Sequence, residues 1–286
     1  MLSVRSEDGT KIAYEQTGSG PPLMLVDGAL CHRANGPARA LARELSSGFT
    51  VYTFDRRGRG QSGDVAPYAV EREVEDIGAL TQKIGKPTYV CGISSGAALA
   101  LEAANRGVEI HGLALFEAPF IVDDSRAPLP DDYRERLDRF LSAGQRADAV
   151  RLFLKVVGVP GLLLALMPML PAWRKLKAVA HTLPYDAAVM AGTQQGKPLP
   201  DARWRLLTTP TLAIGGGKSP AWMQNAVRAL AEALPNATQC TLPGQTHMVK
   251  AKALAPALTA FFQTSGAHDP VHSESMPGSP ERLRTA

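Results

Sequence analysis

A serine set between glycines restricts the fold of this chain more than any other feature. Residues 92–96 read Gly-Ile-Ser-Ser-Gly, follow the apolar run 88–91 and open an Ala- and Leu-rich stretch, 95–106. A strand that turns at once into a helix strains the serine backbone and leaves no room for a neighbouring Cβ, so small residues are needed there. The turn exposes the Ser94 hydroxyl and places the Ser95 N–H at a helix N-terminus, which favours negative charge. The pattern predicts a nucleophilic Ser94.

Short apolar runs alternate with helical patterns along the chain, which predicts a parallel sheet covered on both faces. Strands are predicted at 11–16, 22–26, 49–54, 88–91, 113–116 and 211–214, and helices at 68–84, 95–106 and 221–234. The alternation stops over 121–205, where helical patterns at 133–143, 147–156 and 173–180 predict an inserted helical cap. The core is then 1–120 with 206–263. The Ser- and Pro-rich segment 264–286 is expected to be a disordered tail.

A second motif supports a family resemblance. Residues 55–62, Asp-Arg-Arg-Gly-Arg-Gly-Gln-Ser, follow a predicted strand. Together with the serine turn they resemble the α/β-hydrolase superfamily, whose D-x-R-G-x-G-x-S loop precedes the helix before the nucleophile strand. The resemblance covers about 12–120 and 209–262. It implies an α/β-hydrolase fold, a mostly parallel, doubly wound sheet with an inserted helical cap, in which the loop arginines are structural.

The resemblance also implies the chain order nucleophile, acid, histidine, with the histidine on a loop after the last strand. Residues 244–248 follow the strand-like run 237–242 and precede the helical pattern 252–262. Of six histidines, His247 alone fits this position. Its expected role is to take the Ser94 proton and return it to the leaving group.

The acid departs from the common family pattern. The loop 214–220 contains no acidic residue, and Ser219 stands where an Asp is usual. Glu117 follows the run 113–116, a position that resembles the acid of one branch of haloalkane dehalogenases. Those enzymes use an Asp nucleophile, so Ser94 argues against dehalogenation itself. Glu117 is predicted to orient His247; a salt bridge that anchors the cap is the alternative, and Asp123 and Asp124 are fallback acids.

The loop 26–32, Val-Asp-Gly-Ala-Leu-Cys-His, occupies the place where family members usually show His-Gly. By resemblance, the Ala29 N–H joins that of Ser95 in an oxyanion hole, which requires only backbone. Asp27 is expected to be held by local hydrogen bonds, to tune His32 or to meet a substrate group, and the sequence leaves these open. Cys31 is interpreted as a small packing residue.

The cap is rich in Leu and Met, which favours a mostly apolar pocket for a bulky apolar group. Packing of the cap on the core is the alternative reading of the same residues. The predicted substrate contacts are Leu30, His32, Leu163, Met167, Trp173 and His181.

Composition excludes several classes. The 286 residues are 45% hydrophobic and 20% charged, with a net charge of +4. The arginines form no tract with interleaved aromatics, so no nucleic-acid partner is predicted. Three cysteines without a Cys-x-x-Cys motif argue against disulfides and zinc, and favour the reducing cytoplasm, as does the lack of an apolar signal core near the N-terminus. The uncharged run 156–172 contains three prolines, which favours short helices over an integral membrane segment and leaves shallow membrane contact open.

These observations predict a hydrolase that cleaves a carboxylic ester or lactone through an acyl-enzyme on Ser94, without metal or cofactor. A cofactor-free lyase or cyclase that uses His247 as base is an alternative, motivated by the missing late-loop Asp and by Asp27. A ligand-binding protein with little turnover is another, since fold alone does not fix function. The partner is a small-molecule substrate, and a homo-oligomer is compatible with the sequence.

Overall fold

Eight strands form a single sheet within residues 2–200 and 202–266, the part of the chain that a computed structural model describes. The strands are β1 (Leu2–Arg5), β2 (Lys11–Thr17), β3 (Pro22–Val26), β4 (Thr50–Phe54), β5 (Tyr89–Ile93), β6 (Gly112–Phe116), β7 (Thr211–Gly216) and β8 (Ala237–Leu242). The helices are α1 (Ala38–Leu45), α2 (Val70–Ile84), α3 (Ser95–Asn105), α4 (Tyr133–Ser142), α5 (Arg146–Val156), α6 (Gly161–Leu166), α7 (Ala172–Ala178), α8 (Leu183–Val189), α9 (Ala221–Ala233) and α10 (Ala251–Gly266).

The strand order is β1-β2-β4-β3-β5-β6-β7-β8. The first two strands pair antiparallel, and every pair from β4 to β8 is parallel. This confirms the predicted mostly parallel α/β-hydrolase sheet; β1 and α1 were not predicted. In the register, Phe116 of β6 lies opposite Ile93 of β5 and Ile214 of β7. The carboxyl ends of these three strands therefore meet at one edge of the sheet.

Both faces of the central strands are buried, and alternate side chains enter different cores. In β3, Met24 belongs to the core under α2, α3 and α9, whereas Leu25 belongs to the core under α1 and α10. In β6, Leu115 and Phe116 divide in the same way. This explains the continuous apolar runs in the sequence. It also fixes which strand ends are free to carry polar groups.

Helices α4 to α8 lie between β6 and β7, and no strand occurs in the described part of 121–205. The predicted cap helices correspond to α4, α5 and α7. The apolar run 156–172 is divided between the end of α5, α6 and a 3₁₀ turn, Met167–Met169. Among residues 2–200 and 202–266, no helix combines the length and apolarity needed to cross a bilayer.

The last helix is longer than predicted. Helix α10 continues to Gly266, so the first residues of the predicted disordered tail, 264–266, are helical. Phe262 and Leu258 anchor this helix in the second core, which stabilises its final turn. The remainder of the predicted tail, 267–286, lies outside the described residues.

Candidate active site

Ser94 occupies the sharp turn between β5 and α3. Its backbone has φ 58° and ψ −128°, a positive φ that non-glycine residues rarely adopt. A Cβ at Gly92 would lie 2.4 Å from the Gly96 carbonyl oxygen, and one at Gly96 would lie 2.2 Å from that of Val26. Glycine is therefore required on both sides of the serine. The turn places the Ser94 side chain in the wall of a cavity at the carboxyl end of the sheet.

The His247 ring lies between Ser94 and Glu117. Its Nε2 is 3.1 Å from Ser94 Oγ, and its Nδ1 is 2.8 Å from Glu117 Oε2. When Nδ1–H donates to the carboxylate, Nε2 is free to accept the serine proton. The second carboxylate oxygen, Oε1, accepts the Gly216 N–H at 2.6 Å. Both oxygens of this fully buried carboxylate are thus hydrogen-bonded, as a buried charge requires.

Strand β6 brings Glu117 to this position because it pairs with both β5 and β7. The Glu117 N–H donates to the Ile214 carbonyl at 3.0 Å, and its φ of 45° turns the chain out of the sheet. The last residue of β7, Gly216, contributes a backbone N–H, whereas the loop that follows contains no Asp. Ser219, at the usual Asp position, has a buried Oγ without a hydrogen-bond partner among the described residues.

His247 reaches the site on the loop after β8. A turn with Gly244 at φ 72° follows the strand. The imidazole packs almost parallel to the Phe116 ring, with centroids 6.3 Å apart and planes at 25°. Its side chain is 34% exposed, whereas Glu117 is fully buried. One edge of the imidazole is therefore fixed, and the other faces the serine.

The loop after β3 passes directly over Ser94. A Cβ at Gly28 would lie 3.0 Å from Ser94 Cβ, so the backbone can come this close only at glycine. Leu30 has φ 59°, the third strained position at the site after Ser94 and Glu117. Ala29 lines the cavity together with Ser94 and Ser95. The predicted oxyanion donors therefore belong to segments that border the nucleophile.

Asp27 is buried beneath this loop and does not line the cavity. Burial raises the pKa of Asp27 to about 7. A hydrogen bond from the Ala38 N–H and the charges of Arg59 and Arg56 act in the opposite direction and lower this pKa. Its Oδ1 has no hydrogen-bond partner among the described residues. The pKa of His32 is lowered by burial, and Asp55, not Asp27, opposes that shift. Asp27 thus does not line the cavity, and it is not among the groups that shift the pKa of His32.

A buried ion network joins the core to the cap. Arg56 donates to Glu73 through Nε and Nη2, at 2.7 and 2.8 Å. Arg56 and Arg59 each donate to Asp186 of α8 at 2.7 Å, and the Ser95 hydroxyl donates to the same carboxylate at 2.7 Å. Burial alone would raise the Asp186 pKa, but Arg59 and Arg56 hold it below its usual value. The arginine loop is therefore structural, as expected, and fixes the cap over the nucleophile turn.

The cavity has a volume of about 400 Å³ and a mostly apolar wall. Ser94, His247 and Ala29 lie in its wall. The remaining lining residues come from the loop before α4, the α4–α5 and α8 helices, and the start of α9: Ser95, Pro119, Ser125, Arg126, Leu129, Tyr133, Phe153, Val156, Val157, Gly158, Leu183, Asp186, Ala187, Met190, Gln194, Pro220, Trp222 and Met223.

The predicted substrate contacts are corrected by this list, because none of the six lines the cavity. Leu30 and Trp173 are buried in hydrophobic clusters inside the cap, and Met167 packs against the second of these. Leu163 projects from α6 and is 47% exposed. Leu30, Trp173 and Met167 therefore serve packing, and Leu163 lies on the outer surface.

The two histidines predicted to meet substrate are also held elsewhere. The His32 backbone pairs with Asn35 in a tight bridge. His181 Nε2 lies 3.7 Å from Asp64, outside the cavity. Both rings occupy the base of the cap, where the arginine loop meets α8. Their positions depend on how the cap is oriented, which the sequence pattern did not reveal.

Several cavity residues were missed, and a signal existed for some of them. Trp222 and Met223 directly follow the loop 214–220, which the sequence had placed beside the histidine. Pro119 likewise follows Glu117. Phe153 and Val156 lie on a predicted helix, but its periodicity does not say which residues face the core. No group of three or more His, Cys, Asp or Glu side chains in the described part of the chain is arranged to hold a metal ion.

Comparisons with known proteins agree with this geometry. The sequence profile of the alpha/beta hydrolase family matches residues 25–257, which include the serine turn, Glu117 and His247. The chain belongs to the alpha/beta hydrolase family. A solved alpha/beta hydrolase from Sphaerobacter thermophilus DSM 20745 is 51% identical, has a TM-score of 0.84, and the match covers 91% of this chain and all of that one.

Two further matches are weaker. The enol-lactonase of Burkholderia xenovorans LB400 is 20% identical with a TM-score of 0.68, over 92% of this chain and 100% of that one, which shows a shared fold. YraK of Bacillus subtilis (strain 168), an uncharacterized hydrolase, is 38% identical, but the match covers only 35% of this chain and 38% of that protein.

Proposed function

We propose that this hydrolase cleaves a carboxylic ester or lactone through an acyl-enzyme on Ser94. The observation that carries the proposal is the hydrogen-bonded series from Glu117 through His247 to Ser94, which ends in an apolar cavity. A serine at the end of such a series is activated as a nucleophile because its proton has an acceptor in place. The apolar wall suits a substrate with an apolar acyl or alcohol part.

In the first half-reaction, Ser94 Oγ attacks the carbonyl carbon while His247 Nε2 takes the hydroxyl proton. The carbonyl oxygen becomes an oxyanion, and the N–H groups of Ala29 and Ser95 are proposed to donate to it. The tetrahedral species then collapses: the bond to the leaving oxygen breaks, and His247 returns the proton to that oxygen. An acyl-Ser94 ester and a free alcohol, or the hydroxyl end of an opened lactone, result.

In the second half-reaction, His247 removes a proton from water, whose oxygen attacks the acyl carbon. Collapse of the second tetrahedral species releases the carboxylic acid and restores the Ser94 hydroxyl. Glu117 keeps Nδ1 protonated throughout and stabilises the imidazolium that forms in each half-reaction. Its complete burial strengthens that interaction, since no water screens it.

The similar fold of the Burkholderia xenovorans enol-lactonase and of a thermophilic esterase from Thermogutta terrifontis supports this reaction class. The lyase alternative rested on the missing late-loop Asp and on Asp27. Glu117 now accounts for the first, and Asp27 lies outside the cavity wall. No observation therefore favours the lyase over the hydrolase.

The test is intact-mass detection of a fluorophosphonate adduct, followed by turnover of short-chain p-nitrophenyl esters. Wild type should gain one adduct and hydrolyse the esters, and Ser94→Ala should do neither. Ser125→Ala is the matched control, because it removes another hydroxyl from the same cavity and should retain both activities. A folded wild type that neither labels nor hydrolyses esters would reject the proposal in favour of a lyase or a binding protein.

A further inference from the structure

Arg126 is the one Arg or Lys side chain in the described wall of the cavity. Its guanidinium carbon lies 4.2 Å from the centre of the Trp222 ring. One Nη2–H group donates to the Val156 carbonyl. No described carboxylate forms an ion pair with this guanidinium, so most of its five N–H donors have no anionic partner. The stacked indole fixes the plane of the group.

The other charges at the cavity are compensated within the protein. Asp186 accepts from both Arg56 and Arg59. Glu117 does not line the cavity, and its two oxygens are hydrogen-bonded to His247 and to the Gly216 N–H. Arg126 therefore supplies the uncompensated charge of the wall. Burial lowers its pKa and no carboxylate opposes that shift, which agrees with a partly desolvated, unpaired cation.

We propose that Arg126 binds a carboxylate of the substrate, so that the ester or lactone cleaved at Ser94 carries a second, anionic group. This inference rests on the proposed function. A guanidinium presents two parallel N–H donors to a carboxylate, and half-burial makes such a charged pair stronger than one in water. The apolar side chains of the cavity wall would then contact the chain that joins the carboxylate to the scissile carbonyl.

Two p-nitrophenyl esters of similar length test the proposal: the mono-ester of glutaric acid, which carries a carboxylate, and the neutral valerate. The variants are Arg126→Gln and Arg126→Lys. Arg126→Gln keeps two amide N–H donors and loses the charge, whereas Arg126→Lys keeps the charge and loses the two parallel N–H donors of the guanidinium. Arg228→Gln is the control, since Arg228 is exposed on α9 and donates to Asn225.

Wild type should favour the glutarate ester. Arg126→Gln should lower kcat/KM for that ester about ten- to a hundredfold, mainly through KM, because a hydrogen bond to a charged group is lost. Its kcat/KM for the valerate ester should stay within about twofold of wild type. The kcat/KM of Arg126→Lys for the glutarate ester should lie between the values of wild type and Arg126→Gln. Arg228→Gln should have wild-type kcat/KM for both esters.

An equal loss for both esters, or an unchanged preference in Arg126→Gln, would overturn the subsite and leave Arg126 as a packing residue. Failure of the proposed function looks different, because then neither ester turns over and Ser94 does not label. Glutarate binding measured by calorimetry tests the subsite in that case. Binding to wild type that is lost in Arg126→Gln supports it, and the absence of any difference rejects it.

A separate feature of the cap carries a second proposal. Six large apolar side chains are exposed within 157–170, and Leu162 and Met169 are 78% and 81% exposed. The others are Leu163, Leu166, Leu170 and Val157, the last of which also lines the cavity. We call these six side chains the apolar cap face. Clusters of this kind on a protein surface mark a binding surface more often than scattered single residues do.

The charges around the apolar cap face are mostly basic, and the neighbouring Asp148 is ion-paired with Arg151. Every charged residue between 149 and 185 is a Lys or Arg. Helix α6 packs against α5, which carries Arg151 and Lys155, and α7 packs against the neighbouring 3₁₀ turn. Lys155, Arg174 and Lys175 are exposed. A symmetric contact between two copies would bring these cations together, which is unfavourable.

We infer that the apolar cap face docks on an anionic lipid surface. Apolar side chains enter the headgroup boundary and flanking Lys and Arg contact acidic headgroups, as in other interfacial elements. An anionic lipid surface buries the apolar side chains and also offers negative charge to the basic residues. A second copy of the chain would bury the apolar side chains but offer no negative charge to the basic ones.

Flotation with phosphatidylcholine vesicles, with and without phosphatidylglycerol, tests this surface. Wild type should float with the anionic vesicles and lose binding as salt is raised. Leu162→Ser combined with Met169→Ser should lower binding at least about tenfold, given the apolar area removed. Leu206→Ser is the control, because Leu206 is 83% exposed but lies outside the cap face.

Hydrolysis of a soluble ester by the double variant should equal that of wild type, which shows an intact fold. Absence of wild-type binding, or equal binding by the double variant, would overturn the inference. A wild-type dimer in sedimentation that the double variant does not form would identify a second copy as the partner instead.

Discussion

At the scale of single residues, strain and burial are concentrated around Ser94. The non-glycine residues with positive φ in the described chain are Leu30, Ser94 and Glu117, and all three follow the carboxyl ends of neighbouring strands. Each such backbone costs roughly 1–3 kcal/mol and persists only where the surroundings enforce it. The structure enforces all three at one place, which supports a functional reason for the strain.

Glu117→Gln tests the proposed acid. The amide can still accept the Gly216 N–H, but it cannot stabilise a positively charged His247 and it permits the wrong tautomer. Ester kcat should fall by about three to four orders of magnitude, with the circular dichroism spectrum unchanged. Phosphonate labelling of Ser94 should slow in parallel. A folded variant with wild-type kcat would exclude Glu117 as the triad acid and return attention to Asp123 and Asp124.

Asp27 predicts a pH dependence of stability. Its carboxyl has a pKa of about 7 in the folded protein, against 3.8 for an ordinary exposed Asp, so the folded state holds an extra proton between these two pH values. The free energy of unfolding should therefore fall as pH rises through this window and level off above it. At neutral pH the cost of ionising buried Asp27 lowers the stability of the wild type. Asp27→Asn removes this cost and should raise the free energy of unfolding by up to about 4 kcal/mol at neutral pH. Urea unfolding of both proteins from pH 4 to 8 measures it; a difference that does not vary with pH would contradict the prediction.

At the scale of elements, the β5–α3–β6 unit determines how closely the helix approaches the sheet. A Cβ at Gly96 would lie 2.2 Å from the Val26 carbonyl oxygen and 2.6 Å from that of Asp27. Helix α3 thus packs against the backbone of β3 without an intervening side chain. The helix N-terminus and the loop after β3 consequently meet beside the serine.

Gly96→Ala should therefore destabilise the protein by roughly 3 kcal/mol or more, at the upper end of overpacking effects, because backbone cannot move aside as a side chain can. Gly78→Ala is the matched control within α2, where the nearest atom to an added Cβ is 3.9 Å away. That change should stabilise the protein by about 0.5–1 kcal/mol. Urea unfolding compares the two, and equal effects at both glycines would refute the packing argument.

The elements also show what the sequence could predict. The serine turn, its flanking strand and helix, and the loop of His247 are local patterns, and the structure places them as expected. Glu117 could be nominated because the loop 214–220 has no acidic residue and because the position after β6 resembles the acid position of one branch of haloalkane dehalogenases. The residues of the cavity wall could not be predicted from the sequence, because Arg126 and Tyr133 reach the wall only through the orientation of the cap. Apolar residues of α6 were assigned to the pocket because apolarity alone does not distinguish a cavity wall from an outer surface.

At the scale of the whole molecule, one carboxylate holds the cap to the core. Asp186 lies on α8, yet its partners Arg56, Arg59 and Ser95 all belong to the core. All four are buried, so the network is shielded from water and salt. The cap and the catalytic edge are thus expected to unfold in one transition.

Asp186→Asn should lower the free energy of unfolding by about 3–5 kcal/mol, because two buried guanidinium groups lose their shared carboxylate. The exposed pair of Asp148 and Arg151 offers a control, and Asp148→Asn should change stability by less than about 1 kcal/mol. Denaturant unfolding followed by fluorescence and circular dichroism measures both. Similar small effects for the two variants would show that the network does not hold the cap.

The order of the proposed catalytic groups along the chain has a consequence for biosynthesis. Ser94 and Glu117 stand on neighbouring strands joined by a single helix, whereas His247 follows Glu117 by 130 residues. A nascent chain that has emerged from the ribosome as far as Glu117 already carries two of the three proposed catalytic residues. The base, His247, emerges only with the loop after β8. Ester hydrolysis during translation would therefore begin when the last strands dock, and a fragment ending before β7 could regain activity only by capturing the missing piece.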